Sequence, residues 1–231
     1  MSFKKAFSVA ILAVALCLGL SSAQAQDKMA QAPFASAAPT IDGALGAGEW
    51  TGTWYTNWGA NHGNGDFATM TAPDFAARWT AMHDADNIYV ALEVQDDVRV
   101  TGDAAWGSDC VEIFFDMART KSPDPHLQYR AHWNGTAWAF DSAGAIGTTA
   151  VGDVNGTWTC EWTFPKADLL TEDGNAAIPG DGIIGFDLKP ADNDTNANNR
   201  EINMFWGSEF TAAEHWNNSS TWGNLELLAE G

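Results

Sequence analysis

The segment W106-G-S-D-C-V-E-I-F-F-D116 is the most informative part of the sequence, because an indole in a loop-type sequence leads directly into an alternating strand sequence. In an extended chain, successive side chains point to opposite faces. Val111, Ile113 and Phe115 therefore point to one face, and Glu112 points to the other. This strand has an apolar face for a core and a second face that carries a carboxylate.

The run L127-Q-Y-R-A-H-W133 alternates in the same way and places Arg130 on its polar face. If this strand neighbours the first one, Glu112 and Arg130 lie side by side on a polar sheet face. Trp106 then stands at the rim of that face. A core position is the alternative for Trp106, but its loop setting favours exposure.

A second tryptophan, Trp206, follows Asn203 by three residues and is expected to form the other wall of a slot with Trp106. The C–H-rich face of a sugar ring stacks on indoles, and its hydroxyls need donors and acceptors such as Arg and carboxylate groups. The pattern thus indicates a sugar-binding slot. Strand alternation leaves an alternative open, because Trp206 shares parity with Met204 and would be buried, with Phe205 presented, unless the strand ends or bulges there.

The composition indicates a single all-β domain. The chain has 231 residues, 45% of them hydrophobic, with 12 Trp, 12 Phe and 22 Gly. That length supports one substantial core, and the aromatic and glycine content is typical of strands joined by tight turns. Strand-length runs at spacings of about 8–20 residues predict an antiparallel β-sandwich. The expected helix is short, over residues 166–170.

The N-terminus predicts a secreted protein. A basic start, an apolar run over residues 6–20 and a small-x-small site ending at Ala25 are typical of a signal peptide over 1–25. Residues 26–38 are rich in Ala and Gln and are interpreted as a flexible leader. The remaining residues, 39–231, form the predicted domain. We therefore expect a secreted or periplasmic protein after cleavage near Ala25.

The formal net charge of −19 excludes several classes of partner. Nucleic acids and anionic membrane surfaces both attract basic proteins, so neither is expected to bind this chain. The apolar run near the N-terminus is too short for a confident membrane span, and no membrane insertion is predicted.

Two cysteines, Cys110 and Cys160, remain after the predicted cleavage. An even pair in an oxidising compartment favours a disulfide. However, Cys110 alternates with Glu112, whereas Cys160 alternates with Trp158 and Trp162. The two thiols are therefore placed on different faces by parity, and both arrangements stay open.

The order of the motifs resembles carbohydrate-binding module family 9, within the DOMON-like β-sandwich superfamily. The resemblance spans Pro39 to Leu228. It rests on the following motifs: I41-D-G-x₅-E49-W50, F75 to W79, D86-N-I-Y-V-A-L-E-V-Q-D-D97, W106-x₂-D-x-V-E-I-F-x-D116, Q128-Y-R130, the run E-W-T-F-P from Glu161 to Pro165, G185-F-D187 and W216-N-N-S-S-T-W-G-N-L-E-L227.

This resemblance implies a β-sandwich of jelly-roll type, no catalytic activity, structural calcium and a glycan end held between two indoles. The residues that correspond by motif position are the indoles of Trp106 and Trp206 and the polar side chains of Glu112, Arg130 and Asn203. A glutamine contact of the family has no clear counterpart, since Asp187 or Lys189 stands in that strand.

Acidic loops supply the calcium candidates. These are Asp96-Asp97 and the run 192–198, with Asp42 and Glu49 as further possibilities. Hard cations bind clustered oxygen ligands of this kind, although Asn/Asp turns give the same pattern. The sequence does not assign individual ligands.

Catalysis is the weaker interpretation of the carboxylates. Glycoside hydrolysis needs two carboxylates at a defined separation, and Asp109 lies on the face opposite Glu112. The G-x-S-x-G motif of nucleophilic hydrolases is absent.

Two other functions fit a sandwich of this type. A haem module for electron transfer would need axial ligands, for which the candidates are Met82, His83, His126 and His132. A structural surface or matrix protein would use the sandwich for self-association. The sequence does not specify the sugar or the oligomeric state.

Overall fold

A computed structural model describes residues 28–58, 60–61, 75–122, 127–142, 148–154, 157–175, 177–195, 200, 202–207 and 215–231. The predicted signal peptide, 1–25, lies outside these residues. No helix in the described part of the chain is long and apolar enough to cross a membrane.

Strands make up most of the described regular structure. They are β1 (Met29–Ala32), β2 (Ala60–Asn61), β3 (Phe75–His83), β4 (Asn87–Asp96), β5 (Cys110–Asp116), β6 (Leu127–Trp133), β7 (Trp138–Ser142), β8 (Thr148–Val154), β9 (Thr157–Pro165), β10 (Ile183–Asp192), β11 (Ile202–Phe205) and β12 (Gly223–Leu227). The α-helix α1 (Lys166–Glu172) starts where sequence predicted it and runs slightly longer. Short 3₁₀ helices cover Ala105–Gly107, His215–Asn217 and Ser219–Thr221.

The strands form two sheets, which confirms the predicted all-β sandwich. The larger sheet has the order β1-β12-β10-β5-β6-β7, with β11 beside β10 and β2 beside β11. The smaller sheet has the order β3-β4-β9-β8. The described ladders between strands are antiparallel except for β1 with β12, which is parallel.

The core lies between the two sheets and is built from alternate residues of each strand. On β5, the inward residues are Val111, Ile113 and Phe115, as the alternation predicted. The smaller sheet contributes large indoles, among them Trp79 and Trp162, both fully buried. Because side chains alternate, every second residue of β5 is left on the outer face of the larger sheet.

The outer face of the smaller sheet is covered by the segment 35–54. Trp50 is buried there, and its Nε1 donates to Glu161 Oε1 at 2.8 Å. Glu161 Oε2 also accepts the amides of Asp42 (3.1 Å) and Gly43 (2.7 Å). The D-G and E-W motifs near the N-terminus therefore bind a buried carboxylate and hold this cover in place.

The segment interpreted as a flexible leader, 26–38, contains part of the sheet, and that interpretation was wrong. Within it, β1 pairs with β12, and both Ala30 and Ala32 are fully buried in the core. Sequence reasoning missed this strand because alanine has little strand preference and the run is only four residues long. The folded domain therefore begins before Pro39.

The two cysteines are free thiols, and both are buried. Cys160 lies in the core between the sheets. Cys110 faces outward, where its Sγ is 3.3 Å from Arg200 Nη2. The alternation argument for different faces is confirmed, and the disulfide is not formed.

We expect Ala30→Asp to destabilise the protein by about 3 kcal/mol or more, because it places a carboxylate in the core beside β12. Met29→Asp is the matched control, since Met29 is 42% exposed on the same strand. That change should alter the unfolding free energy by less than about 0.5 kcal/mol. The measurement is denaturant unfolding, and equal small effects of both substitutions would contradict the structural assignment of β1.

Candidate functional site

A ladder of charged residues crosses the outer face of the larger sheet. Lys189, Glu112, Arg130 and Asp141 are direct cross-strand neighbours on β10, β5, β6 and β7. Arg130 Nε donates to Glu112 Oε1 at 2.8 Å, and its Nη1 donates to Asp141 Oδ2 at 2.6 Å. Lys189 Nζ pairs with Glu112 Oε2. The predicted Glu112–Arg130 pair is thus present as part of a longer row.

Arg200 adds a third cation to Glu112. Its Nη2 lies 3.0 Å from Glu112 Oε1, and its guanidinium carbon lies 5.9 Å from the ring centroid of Trp106. Asn203 Oδ1 lies 3.5 Å from Arg200 Nη1. Asn203 therefore contacts this cluster through Arg200.

The buried position of Glu112 would favour its neutral form, but its partners reverse that preference. The residue is 1% exposed. Burial raises its pKa, whereas the charges of Lys189, Arg200 and Arg130 lower it more, so the pKa lies well below its ordinary value. Glu112 is consequently a permanent anion at neutral pH, fixed by three cations.

The charged row forms the floor of a slot of about 470 Å³. This volume falls in the range of small-molecule sites. Trp106 is 47% exposed and Trp216 is 52% exposed. The described residues that line the slot are Trp106, Glu112, Gln128, Arg130, Lys189, Arg200 and Trp216. Exposed indoles beside a polar floor provide both stacking surfaces and hydrogen-bonding groups.

Trp106 is presented by a loop that a buried carboxylate fixes. Its short helix, Ala105–Gly107, ends just before Asp109, which is fully buried. Asp109 Oδ1 accepts the amide of Asn193 at 2.8 Å, and its Oδ2 accepts the amide of Val100. Asn193 Nδ2 in turn donates to the carbonyl of Gly107. The loop that carries the first indole is therefore tied to the end of β10.

Trp216 is presented by a second short helix, which is anchored through its neighbour His215. The ring of His215 is buried, and its Nε2 lies 2.9 Å from Asp187 Oδ2 on β10. The same ring makes an edge-to-face contact with Phe114 at 5.0 Å. Trp222 Nε1 donates to the carbonyl of His215 at 2.8 Å. Both exposed indoles thus depend on buried polar contacts to the larger sheet.

Trp206 is not a wall of the slot, and its predicted role was wrong. It is 1% exposed and packs edge-to-face on Trp79 at 4.9 Å. A side chain at Gly223 would meet the Trp206 ring at 2.4 Å, so the indole lies against that glycine. Trp206 follows the parity of Ile202 and Met204 into the core although β11 ends at Phe205. Its backbone N–H donates to the carbonyl of Leu188 on β10 at 3.2 Å, so bonding to β10 continues past the end of the strand.

Of the other predicted residues, the structure brings Trp106, Glu112 and Arg130 together. Asn203 is not among the described residues that line the slot, and its side chain contacts the slot through Arg200. Sequence reasoning missed Gln128, Arg200 and Trp216 as site residues and named Lys189 only as an alternative. The available signal for Trp216 was its Asn/Ser-rich surroundings, which are typical of a loop and resemble the setting of Trp106.

A cluster of acidic side chains near the Trp106 loop fits an oxygen-coordinated cation. Carboxylate oxygens of Asp96, Asp192 and Asp194 all lie within 4.8 Å of one another. The pKa of Asp96 is raised to about 7, mainly because the carboxyl is buried. Burial and then the charge of Asp96 raise the pKa of Asp109, to about 8. A divalent cation would offset both the burial of these carboxylates and the repulsion between their negative charges. Carboxylate oxygens are also ligands that calcium prefers.

The other calcium candidates do not belong to this cluster. Asp97 is exposed. Asp42 Oδ1 accepts the amide of Ala44 at 2.9 Å, and Glu49 Oε1 accepts the amide of Thr40 at 2.6 Å. Asp42 and Glu49 therefore stabilise their own turns. Residues 196–198 of the acidic run lie outside the described part of the chain.

The candidate haem ligands are not gathered at one site in the described residues. Met82 packs under the cover of the smaller sheet, and its Sδ lies 3.2 Å from Thr51 N. His83 Nε2 lies 2.8 Å from the carbonyl of Leu228. His132 is on the larger sheet, with its Nδ1 3.3 Å from Asp141 Oδ1. The fourth candidate, His126, lies outside the described residues.

Comparison with known families identifies the chain. Residues 41–230 match the family described as carbohydrate family 9 binding domain-like. The chain belongs to this family. The match covers every described strand after β1 and every described residue that lines the slot, and it confirms the resemblance seen in the order of the motifs. No curated protein matches the chain.

Solved structures share the fold of this family 9 domain. A family 9 carbohydrate-binding module from Caldicellulosiruptor kristjanssonii, in complex with cellotriose, superposes with a TM-score of 0.68 at 19% identity, covering 88% of this chain and 95% of that one. The structure of such a module from the same organism with glucose gives a TM-score of 0.67 at 20% identity, covering 88% and 97%. At this identity the likeness establishes the fold.

The pH dependence of stability should reveal the charge state of Glu112. The pKa of the Glu112 carboxyl is lower in the folded protein than in the unfolded chain, where it is about 4.3. Its ionised form therefore stabilises the fold fully above about pH 4.3, and this stabilisation is lost gradually as the pH falls below that value. We therefore expect Glu112→Gln to destabilise the protein by about 3–5 kcal/mol near neutral pH, because three cations lose their shared anion.

This difference in unfolding free energy should stay constant from about pH 8 to pH 5 and shrink as the pH falls below about 4. Urea unfolding of both proteins across this range measures it. A difference that already falls between pH 7 and pH 5 would show that Glu112 is not held ionised in the folded protein.

Proposed function

We propose that this protein is a secreted, non-catalytic carbohydrate-binding protein that holds one saccharide unit between Trp106 and Trp216. The observation that carries the proposal is the slot itself, in which two exposed indoles stand over a buried, ion-paired carboxylate. Family membership and the predicted signal peptide support the same function.

The slot offers what a sugar ring requires. Indole faces stack on the C–H-rich side of a pyranose, and charged groups bind its hydroxyls with charge-assisted hydrogen bonds. Arg130 is fixed on both sides by Glu112 and Asp141, so little side-chain entropy is lost when it binds a ligand. We expect modest affinity, since sugar hydroxyls also bind water well.

The structurally similar modules were solved with cellotriose and with glucose. We take glucose-type sugars as the first ligands to test on this basis. The choice of sugar depends on the side chains of the slot itself, and an overall identity of 19–20% does not carry the ligand of those modules over to this chain.

The electrostatics of Glu112 support a binding role over a catalytic one. A general acid must carry a proton near neutral pH, which requires a raised pKa. The pKa of Glu112 is instead held well below its ordinary value by Lys189, Arg200 and Arg130, against the effect of burial. Its oxygens are also already bound by these three cations. Glu112 therefore serves to fix the binding groups.

We expect Trp106→Ala and Trp216→Ala each to weaken cellotriose binding at least about tenfold, because each removes a stacking surface. Both residues are about half exposed, so the unfolding free energy should change by less than about 0.5 kcal/mol. Calorimetric titration measures the affinity. Phe140→Ala is the matched control, since Phe140 is 44% exposed and does not line the slot.

Trp206→Ala distinguishes a slot walled by Trp106 and Trp216 from the slot walled by Trp106 and Trp206 that the motif positions predicted. Because this indole is buried, its removal should cost about 3–5 kcal/mol of stability. Loss of cellotriose binding in a Trp206→Ala protein of unchanged stability, with full binding by Trp216→Ala, would overturn the assignment of the walls.

We further propose that calcium binds the cluster of Asp96, Asp192 and Asp194. The donors are oxygen atoms of the type that calcium prefers, and their proximity is unfavourable without a cation. Asn193 lies between two of these residues and bonds to Gly107, next to Trp106. A cation here would therefore rigidify the loop that carries the first indole.

Chelation should lower the unfolding temperature. A ligand present at about 100 times its dissociation constant contributes about 2.7 kcal/mol, which corresponds to roughly 5–10 °C for a domain of this size. Calorimetry with calcium and with chelator measures the shift. Asp192→Asn should remove most of the calcium response, whereas Asp97→Asn, at an exposed neighbouring position, should retain it. An unfolding temperature independent of calcium would contradict this site.

A further inference from the structure

The slot is cationic although the protein is strongly acidic. The formal net charge of the chain is −19. The described residues lining the slot nevertheless include the cations Arg130, Lys189 and Arg200 and a single carboxylate, Glu112. Asp141 binds Arg130 from outside the lining. Among the described residues, one positive charge of this cluster therefore remains unbalanced by its carboxylates.

The excess resides on Lys189 and Arg200. Both share Glu112 with Arg130, and their side chains are only 10% and 9% exposed. Burial is the largest effect on the pKa of Lys189 and lowers it, while Glu112 opposes this effect. Two poorly hydrated cations around one shared anion are electrostatically costly unless a further anion joins them.

The hydrogen-bonding groups of the slot are also unbalanced. Lys and Arg side chains donate hydrogen bonds and cannot accept them. Both oxygens of Glu112 are already bound by cations, so the side chain of Gln128 is left as the main acceptor among the described lining residues. A neutral sugar brings hydroxyl donors that need acceptors. A carboxylate only accepts, and therefore fits this surplus of donors.

We propose that the slot selects a saccharide unit that carries a carboxylate, a uronic acid, with Lys189 and Arg200 binding the carboxylate while the indoles hold the ring. This inference rests on the proposed function and specifies the class of sugar. The planar guanidinium of Arg200 is suited to a carboxylate, and its contact with the Trp106 ring places it beside the stacking surface.

Calorimetric titration of the full chain with three ligands tests the proposal. These are D-glucuronate, its neutral methyl ester and D-glucose. We expect D-glucuronate to bind about tenfold more tightly than either neutral ligand, as for one charge-assisted contact at a partly desolvated site. Added salt should narrow this preference, because it screens the contact.

Substitution of Lys189 tests whether the preference comes from the slot. Lys189→Gln should reduce the ratio of the glucuronate and ester affinities to about one- to threefold. Lys166→Gln is the matched control, because it removes the same charge at the start of α1 and does not line the slot. This control should retain the full ratio. Thermal unfolding establishes that both variants are folded, and an unchanged ratio in folded Lys189→Gln would overturn the proposal.

The ligand series also separates this inference from the proposed function. Equal binding of glucuronate, its ester and glucose would overturn selection for a uronic acid and leave the carbohydrate-binding function intact. Absence of binding by all three, together with cellotriose, would overturn both. Tighter binding of glucose 6-sulfate than of glucuronate would overturn the choice of a carboxylate.

Discussion

The binding face depends on a carboxylate that the protein buries and then keeps charged. Glu112 sits at the centre of β5 with a cation on either neighbouring strand and a third from Arg200. None of these groups would be stable at this depth by itself, because a buried charge without a partner is strongly unfavourable. Their mutual contacts fix the floor of the slot before any ligand arrives, so binding needs little rearrangement.

The indoles that form the walls of the slot are positioned by buried hydrogen bonds rather than by the ion pairs of the floor. Each of the two indoles that line the slot sits on a short 3₁₀ helix, and buried polar residues tie one helix to β10 and the other to Asn193, which directly follows β10. Asp109 with Asn193 fixes the helix of Trp106, and His215 with Asp187 fixes the helix of Trp216. The sheet therefore supplies a rigid reference for loops that carry function, and the proposed calcium cluster adjoins the first of these anchors.

Strand alternation was a reliable guide wherever a strand was continuous. It placed Val111, Ile113 and Phe115 in the core, put Glu112 on the outer face and separated the two cysteines. The same rule opposed the assignment of Trp206 to the slot, and the motif position that favoured it was misleading. The alternation constrains side-chain direction, because a regular strand cannot turn one residue to the other face without a bulge.

The sandwich, its core face and the Glu112–Arg130 pair could be predicted from the sequence alone, because period-two alternation and the pairing of neighbouring strands depend on local order. Three features depend on tertiary contacts: which indole completes the slot, which cations surround Glu112, and that residues before Pro39 join the sheet. Trp216 and Arg200 reach the site from loops distant in sequence, and β1 is held by its partner β12. No local pattern encodes such contacts, since they depend on how separate segments meet in the folded chain.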